Sequence, residues 1–514
     1  MHTGEDLSRQ PRRQTTRSNL QHRIQSTMSI VSESKLGVDY VTVNSTFGPV
    51  KGFINRDYPN VAQFLGIPFA EPPIGPRRWL PPTPKAPVDS IDATKFGYSC
   101  PQQLGGRPSV YNTDVTEHQI RDETSEDCLS LCIWAPKDAV KEGSKTKLPV
   151  IVFITGGAFL VGGSTIPYQN PTPWIENSKR HIVVSINYRL NVFGFPNAAG
   201  LSPNERNLGF LDQRLGLEWV HQHIASFGGD PARMTHFGQS AGARSIDCHA
   251  FLHPDKPLVR NLILHSGCAL PPLPVGDPEC THFSALAKAL GFPGGDAAAE
   301  LEFMGQQPPQ VLLEAIQHHW ATEERPFLSF RPVVDNFTMF DDYEDRAKAG
   351  NFSKLPAICG TMNDEGNSVA VYHPDGADPF WAENITKNYF LGPMVAMART
   401  RSAHAPTFRF LLKDFAPTGT SSFSNISPRP WLRAYHSSDM PLIFGTHDWA
   451  RGPSTPLEEK VARAWQDLYV TFAEDGPDGL RRMGWSDMSE GVGIVLGGGE
   501  KGWEIVSLEE VDNM

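Results

Sequence analysis

The stretch Phe237-Gly238-Gln239-Ser240-Ala241-Gly242 decides how the rest of the chain is read. It is Gly-x-Ser-x-Gly, the pattern of a nucleophile elbow: a serine on a sharp strand-to-helix turn, its hydroxyl standing above the sheet edge. Asp230-Pro231 marks a turn before it, and the residues up to His236 read as a short strand running into the elbow. Gly238 and Gly242 leave out side chains where strand and helix cross closely. The N–H of Ala241, at the start of the next helix, points to where negative charge would gather if Ser240 attacked a carbonyl. Five residues alone also fit a plain turn with two glycines, so the flanking sequence has to decide.

Composition narrows the classes. The 514 residues are 39% hydrophobic and 20% charged, enough to build a sizeable core. A net charge of −11 argues against nucleic acid as a partner. No apolar run reaches the roughly 18 residues that a membrane-spanning helix needs. The longest candidate, Leu148 to Gly163, reads as a buried strand followed by a glycine loop. The first 36 residues are polar, rich in Arg, Gln, Ser and Thr, and hold no apolar core of a secretory signal. They predict a disordered tail over 1–38, followed by a single domain over 39–514. Five Asn-x-Ser/Thr sequons, at Asn44, Asn336, Asn351, Asn384 and Asn425, would suit secretion, so the compartment stays open. Seven cysteines show no CxxC pair and no metal-ligand spacing, and neither a metal nor an organic cofactor is expected.

Tyr40 to Leu65 alternates apolar and polar residues, in keeping with short antiparallel strands. The segment Phe64 to Trp79 is too rich in proline for a helix or a central strand, and with it a resemblance begins. Ser125-Glu126-Asp127-Cys128-Leu129-Ser130-Leu131, then Asn187-Tyr188-Arg189-Leu190, then Phe227-Gly228-Gly229-Asp230-Pro231 follow in order. Together with the elbow they resemble the type-B carboxylesterase/lipase family, which includes cholinesterases and fungal lipases, over about Tyr40 to Trp485. The resemblance implies an α/β-hydrolase fold: a large, mostly parallel central sheet, helices on both faces, and a helical insertion over the active site. The irregular stretch after Ser266, to about Leu355, is where that insertion is expected.

The same resemblance implies a site. Thr155-Gly156-Gly157-Ala158-Phe159, after the strand ending at Ile154, matches the oxyanion loop. Backbone N–H groups of Gly157 and Ala158 would join that of Ala241 around a tetrahedral oxygen. Thr155 and Ala158 depart from the family pattern, where an aromatic or His and a third glycine are usual. Thr361-Met362-Asn363-Asp364-Glu365-Gly366 carries the acid at Glu365, with Asp364 as its rival. Ser-acid-His order requires a histidine after it, which leaves His373, His404, His436 and His447. Tyr435-His436 to Gly445 matches the family's histidine segment, with Asp439 in its acidic place, and makes His436 the expected base with His447 as the alternative. The resemblance also implies a disulfide from Cys100 to Cys128 and a salt bridge from Arg78 to Glu126 at the base of that loop. Reduced thiols are the alternative, and a second pair, Cys268 with Cys280, rests on proximity alone.

The expected activity is a serine carboxylic-ester hydrolase acting through an acyl-enzyme on a small or medium organic ester or lactone. Similarity to fungal members suggests secondary metabolism as one setting. The partner is a small-molecule ester, with no nucleic acid, no transmembrane segment, and a monomer or weak homo-oligomer. An acyltransferase using the same acyl-enzyme is the alternative, and a non-catalytic binding member of the fold is the other.

Overall fold

Alternation along one strand shows how the sheet is buried on both faces. In Leu148–Ile154 (β6), Val150, Val152 and Ile154 pack into one apolar core, while Ile151 and Phe153 pack into another. The first core holds Phe210, Leu217 and Val220 of the helix Leu208–His223 and Ile246 and Phe251 of the helix Ala241–Leu252. The second holds Trp465, Leu468, Tyr469 and Phe472 of the helix Pro456–Asp475. That helix starts at a reciprocal Thr455/Glu458 cap, with Pro456 at its first position.

The computed structural model describes residues 37–270, 276–322, 325–417 and 420–513. The tail expected over 1–38 lies outside them except for Gly37 and Val38, and Val38 already opens β1 (Val38–Ser45). The other strands are β2 (Gly48–Asn55), β3 (Val61–Pro68), β4 (Ile91–Asp92) and β5 (Ser130–Pro136). After β6 come β7 (Ile182–Ile186), β8 (Gly229–Gln239), β9 (Asn261–His265) and β10 (Ala357–Met362). β11 (Thr407–Leu412), β12 (Val492–Leu496) and β13 (Trp503–Ser507) complete the set. They form one 13-stranded sheet in the order β1-β2-β3-β5-β7-β6-β8-β9-β10-β11-β12-β13, with β4 beside β2. Pairing is parallel from β7 through β12 and antiparallel at both ends, apart from the short parallel pairing of β4 with β2. This is the mostly parallel sheet, covered on both faces, that the resemblance implied.

One expectation is corrected here. Phe64 to Pro68, read as outside any central strand, completes β3 between β2 and β5. The prolines of that segment begin only at the last residue of the strand, so residues before it keep the N–H groups a ladder needs.

The insertion contributes helices Thr281–Ala289, Ala297–Gly305 and Pro309–Ala321. They bury Phe283, Leu286, Met304, Leu312 and Ile316 in a separate cluster against Trp79, Val192 and Leu208. Two buried ion pairs tie this layer to the sheet. Arg189 Nε and Nη2 bond both oxygens of Asp212, at 2.8 and 2.7 Å, while its Nη1 donates to the carbonyls of Arg78 and Leu80. Arg78 in turn forks onto Glu126, at 2.6 and 2.8 Å, and donates to the carbonyl of Gln307. Glu126 is two residues from Cys128, which is bonded to Cys100 with Cα atoms 5.0 Å apart. The salt bridge and the disulfide are therefore both present. Cys268 and Cys280 are not paired; both are buried thiols.

The disulfide spans 28 residues and closes the loop carrying Tyr111 and His118. In the chain-entropy model, closing such a loop is worth roughly 3–4 kcal/mol. The double replacement Cys100→Ala, Cys128→Ala is expected to lower the denaturant midpoint accordingly. Equal midpoints for the variant and the unreduced protein would show that the bridge contributes nothing.

Candidate active site

β8 ends at Gln239, and the next residue, Ser240, turns the chain at φ 56° and ψ −123° into the helix Ala241–Leu252. A β-carbon on Gly238 would lie 2.5 Å from the Gly242 carbonyl carbon, and one on Gly242 2.0 Å from the Ile154 oxygen. Both glycines are thus required by the close crossing of β6, β8 and the helix. The Ser240 N–H donates to the carbonyl of His265 at 2.8 Å, which anchors the elbow to the end of β9.

Glu365 follows β10 and is fully buried. Its Oε1 accepts from Ser266 Oγ at 2.5 Å and from the Met362 N–H at 2.8 Å, and its Oε2 lies 2.5 Å from His436 Nδ1. These three partners stand in for hydrogen bonds that burial takes away from water. Because the carboxylate only accepts, Nδ1 carries the imidazole proton and Nε2 is left with a lone pair. The partner of Nε2 is the amide of Gln239, at 3.2 Å. Tyr111 Oη donates to the His436 carbonyl at 2.8 Å, and the Phe390 ring packs on the imidazole at 4.5 Å.

Ser240 and His436 line one cavity of about 770 Å³. Gly157, Ala158 and Ala241 line it too, and their N–H groups make no hydrogen bond among the described residues. The loop carrying the first two is held in left-handed geometry, with φ 113° at Gly157, 56° at Ala158 and 64° at Phe159. Two successive non-glycine residues there are strained, and neighbours hold them. The Asn191 N–H donates to the Phe159 carbonyl, and its side chain donates to the carbonyls of Leu160 and Pro101. Thr155, the first departure from the family pattern, donates to Gln169 Oε1 at 2.9 Å behind the loop.

The rivals are elsewhere. Asp364 lies 3.6 Å from Arg433 Nε and accepts from Asn363, and burial raises its carboxyl pKa. His447 bonds Ser454 and lines a separate cavity of about 220 Å³. His373 is exposed, and His404 packs on Phe352. Asp439, in the acidic place of the histidine segment, bonds His265 Nδ1 at 2.5 Å and does not reach His436. His118, half-buried in the cavity wall and 3.2 Å from Tyr435 Oη, has its pKa pushed down to about 3 by loss of water around it and is neutral.

Sequence reasoning did not single out Ser266, Gln239, His118 or Arg331 among the residues that build or line this site. A usable signal existed for Ser266, which follows the short apolar strand β9 directly and so sits at a carboxyl edge of the sheet. Among the described residues no cluster of three His, Cys, Asp or Glu side chains is arranged to hold a metal, and no helix is long and apolar enough to cross a membrane.

Comparison with known proteins bears on the family and the fold. The model of the carboxylesterase family matches residues 39–388. A chlorogenic acid esterase of Aspergillus niger is 39% identical over 444 residues, covering 86% of this chain and 84% of that protein. Secreted lipase 5 of Gibberella zeae is 38% identical over 478 residues, 87% of each. A solved structure of a thermophilic PNB esterase superposes with a TM-score of 0.74 at 27% identity, covering 92% of this chain and 99% of that one.

The elbow crossing can be tested without reference to any substrate. Gly242→Ala drives a methyl into the backbone of Ile154 and is expected to cost at least the ~1–3 kcal/mol typical of overpacking. Gly305→Ala, where a β-carbon meets nothing within 4 Å, is expected to leave stability unchanged or raise it by about 0.4–1 kcal/mol. Thermal melts of the two variants check the contrast; equal melting temperatures would contradict the crossing.

Proposed function

The chain belongs to the carboxylesterase family and is a carboxylic ester hydrolase; on that premise we propose that it works through an acyl-enzyme on Ser240. The observation that carries the reading is the Glu365–His436 pair at 2.5 Å, with its other ring nitrogen held by Gln239 of the elbow, next to the strained Ser240.

In this mechanism an ester enters the cavity and its carbonyl carbon meets Ser240 Oγ. His436 Nε2 takes the serine proton as the C–O bond forms, which requires that the Gln239 amide give up its hold on that nitrogen. Glu365 holds the ring in the productive tautomer and stabilises the imidazolium without taking its proton. The N–H groups of Gly157, Ala158 and Ala241 receive the oxyanion, a charge present only in the transition state and intermediate. Collapse expels the alcohol with the proton from His436. Water, deprotonated by the same imidazole, then opens the acyl-enzyme and releases the acid.

The walls support a small or medium substrate. The cavity size is in the range of small-molecule sites, roughly 300–1,000 Å³, and its lining is mostly apolar. Leu313, Ile316 and Trp320 come from the insertion, and Trp381, Ile385 and Tyr389 from the segment after Glu365. Aryl esters and lactones fit such walls better than long flexible chains.

Ser240→Ala is expected to lower ester turnover by up to ~10⁶-fold with folding intact. Substantial hydrolysis by a clean preparation would overturn the mechanism. His436→Ala should match it, while His447→Ala keeps most activity; the reverse ranking would refute the assignment of the base. Glu365→Gln should lower kcat far more than it raises KM, and a larger effect from Asp364→Asn would reassign the acid. Product analysis with a competing alcohol distinguishes hydrolysis from acyl transfer.

A further inference from the structure

The cavity is charged in one sense only. Among the described residues no Asp, Glu or Lys lines it, whereas Arg331 and Arg244 do. This holds in a chain whose net charge is −11.

Arg331 lies within the insertion, after its helix Pro309–Ala321 and two residues after Ser329. Its Nε donates to the Ala158 carbonyl at 3.3 Å and its Nη1 to Ser329 Oγ at 2.9 Å. No carboxylate pairs with it among the described residues, and Nη2 makes no hydrogen bond there. A guanidinium always carries its charge, and Arg331 is half-buried in the cavity wall, where loss of water favours an anionic partner. The chain supplies one elsewhere: Arg78, Arg189 and Arg401 each meet a buried carboxylate. Burial pulls the Arg331 pKa below its ordinary value, with no opposing charge offsetting the loss of water.

The residue is also held ready. Its carbonyl accepts from Asn197 Nδ2 at 3.0 Å, the next carbonyl, that of Pro332, accepts from the Gly276 N–H at 2.7 Å, and a β-carbon on Gly276 would strike the Arg331 oxygen at 2.2 Å. Backbone and head group are thus fixed before any ligand arrives, which reduces the ordering cost of binding. The contact to Ala158 puts the cation beside the loop proposed to receive the oxyanion, within reach of groups on either side of an ester carbonyl.

We propose that Arg331 is a specificity-determining residue that binds a carboxylate carried by the substrate, so that the preferred esters are anionic. The inference rests on Ser240 being the nucleophile. The carboxylate is the counter-ion the cavity lacks: Nη2 and the second Nη1 hydrogen supply a two-pronged donor for it. It can belong to the acyl group, as in a half-ester of a dicarboxylic acid, or to the leaving alcohol, as in an acylated hydroxy acid.

Two ester pairs separate these sources. Mono-4-nitrophenyl glutarate against 4-nitrophenyl pentanoate tests the acyl side; 4-butyryloxybenzoate against phenyl butyrate tests the alcohol side. The readout is the ratio of kcat/KM, anionic over neutral, for the whole chain and for Arg331→Met and Arg331→Lys. The unaltered protein is expected to favour the anionic member of one pair. Arg331→Met is expected to lower that ratio by about 10- to 100-fold, mainly through KM, as suits loss of a hydrogen bond to a charged group. Arg331→Lys should recover part of it, and added salt should lower the ratio of the unaltered protein but not that of Arg331→Met. Ratios that are the same in the unaltered protein and Arg331→Met for both pairs, or a preference for both neutral esters, would overturn the proposal. Absence of turnover on all four esters, with no organophosphonate labelling of Ser240, would instead overturn the acyl-enzyme reading and this one with it.

Discussion

The backbone of Ser240 is the constraint on which the site depends. Its φ of 56° is costly for a residue with a β-carbon, and the surroundings pin it. The Ser240 N–H is tied to the end of β9, its carbonyl accepts the Arg244 N–H, and Gly267 passes so close that a β-carbon there would lie 2.2 Å from the Ser240 oxygen. Three parallel strands, β6, β8 and β9, therefore end against one turn. Relaxing any of these contacts would let the serine fall back to an ordinary conformation, with its hydroxyl no longer raised over the edge.

A second requirement follows from burying an ionised acid. Glu365 is removed from solvent, and a carboxylate there is tolerable only with its lone pairs occupied. Ser266, Met362 and His436 do this from the ends of β9 and β10 and from the loop after β11. The same bonds that make the charge tolerable orient the imidazole, so stability and geometry are served by one arrangement. Gln239 adds a donor on the other ring nitrogen, which keeps the resting ring in a single orientation.

The rim is built differently, from long-range ties. Arg189 links the sheet to the segment around Arg78, Arg78 links it to Glu126 and the insertion, and the disulfide closes the loop beside them. Both arginines are satisfied by carboxylates at fork geometry. Arg331, in the same layer, has no carboxylate partner among the described residues and lines the cavity.

Local chemistry was legible in the chain. The elbow at Ser240 and the glycine loop at Gly157 stand out because a strained turn or a close backbone passage admits few residue types, whereas Glu365 was marked out by resemblance. The lead-in strands were legible by alternation, except where prolines after Phe64 obscured the end of β3. His436 was not, since seventeen histidines look alike until a fold brings one to the acid; resemblance, not spacing, singled it out. Cys268 and Cys280 show the same limit, being near in sequence yet unpaired. Ser266, Gln239 and Arg331 became visible only in three dimensions, 99, 197 and 173 residues from the groups they touch at Glu365, His436 and Ala158. A sequence can specify a backbone conformation locally, because sterics act over a few residues, whereas which charge goes unpaired in a cavity depends on every chain segment that closes around it.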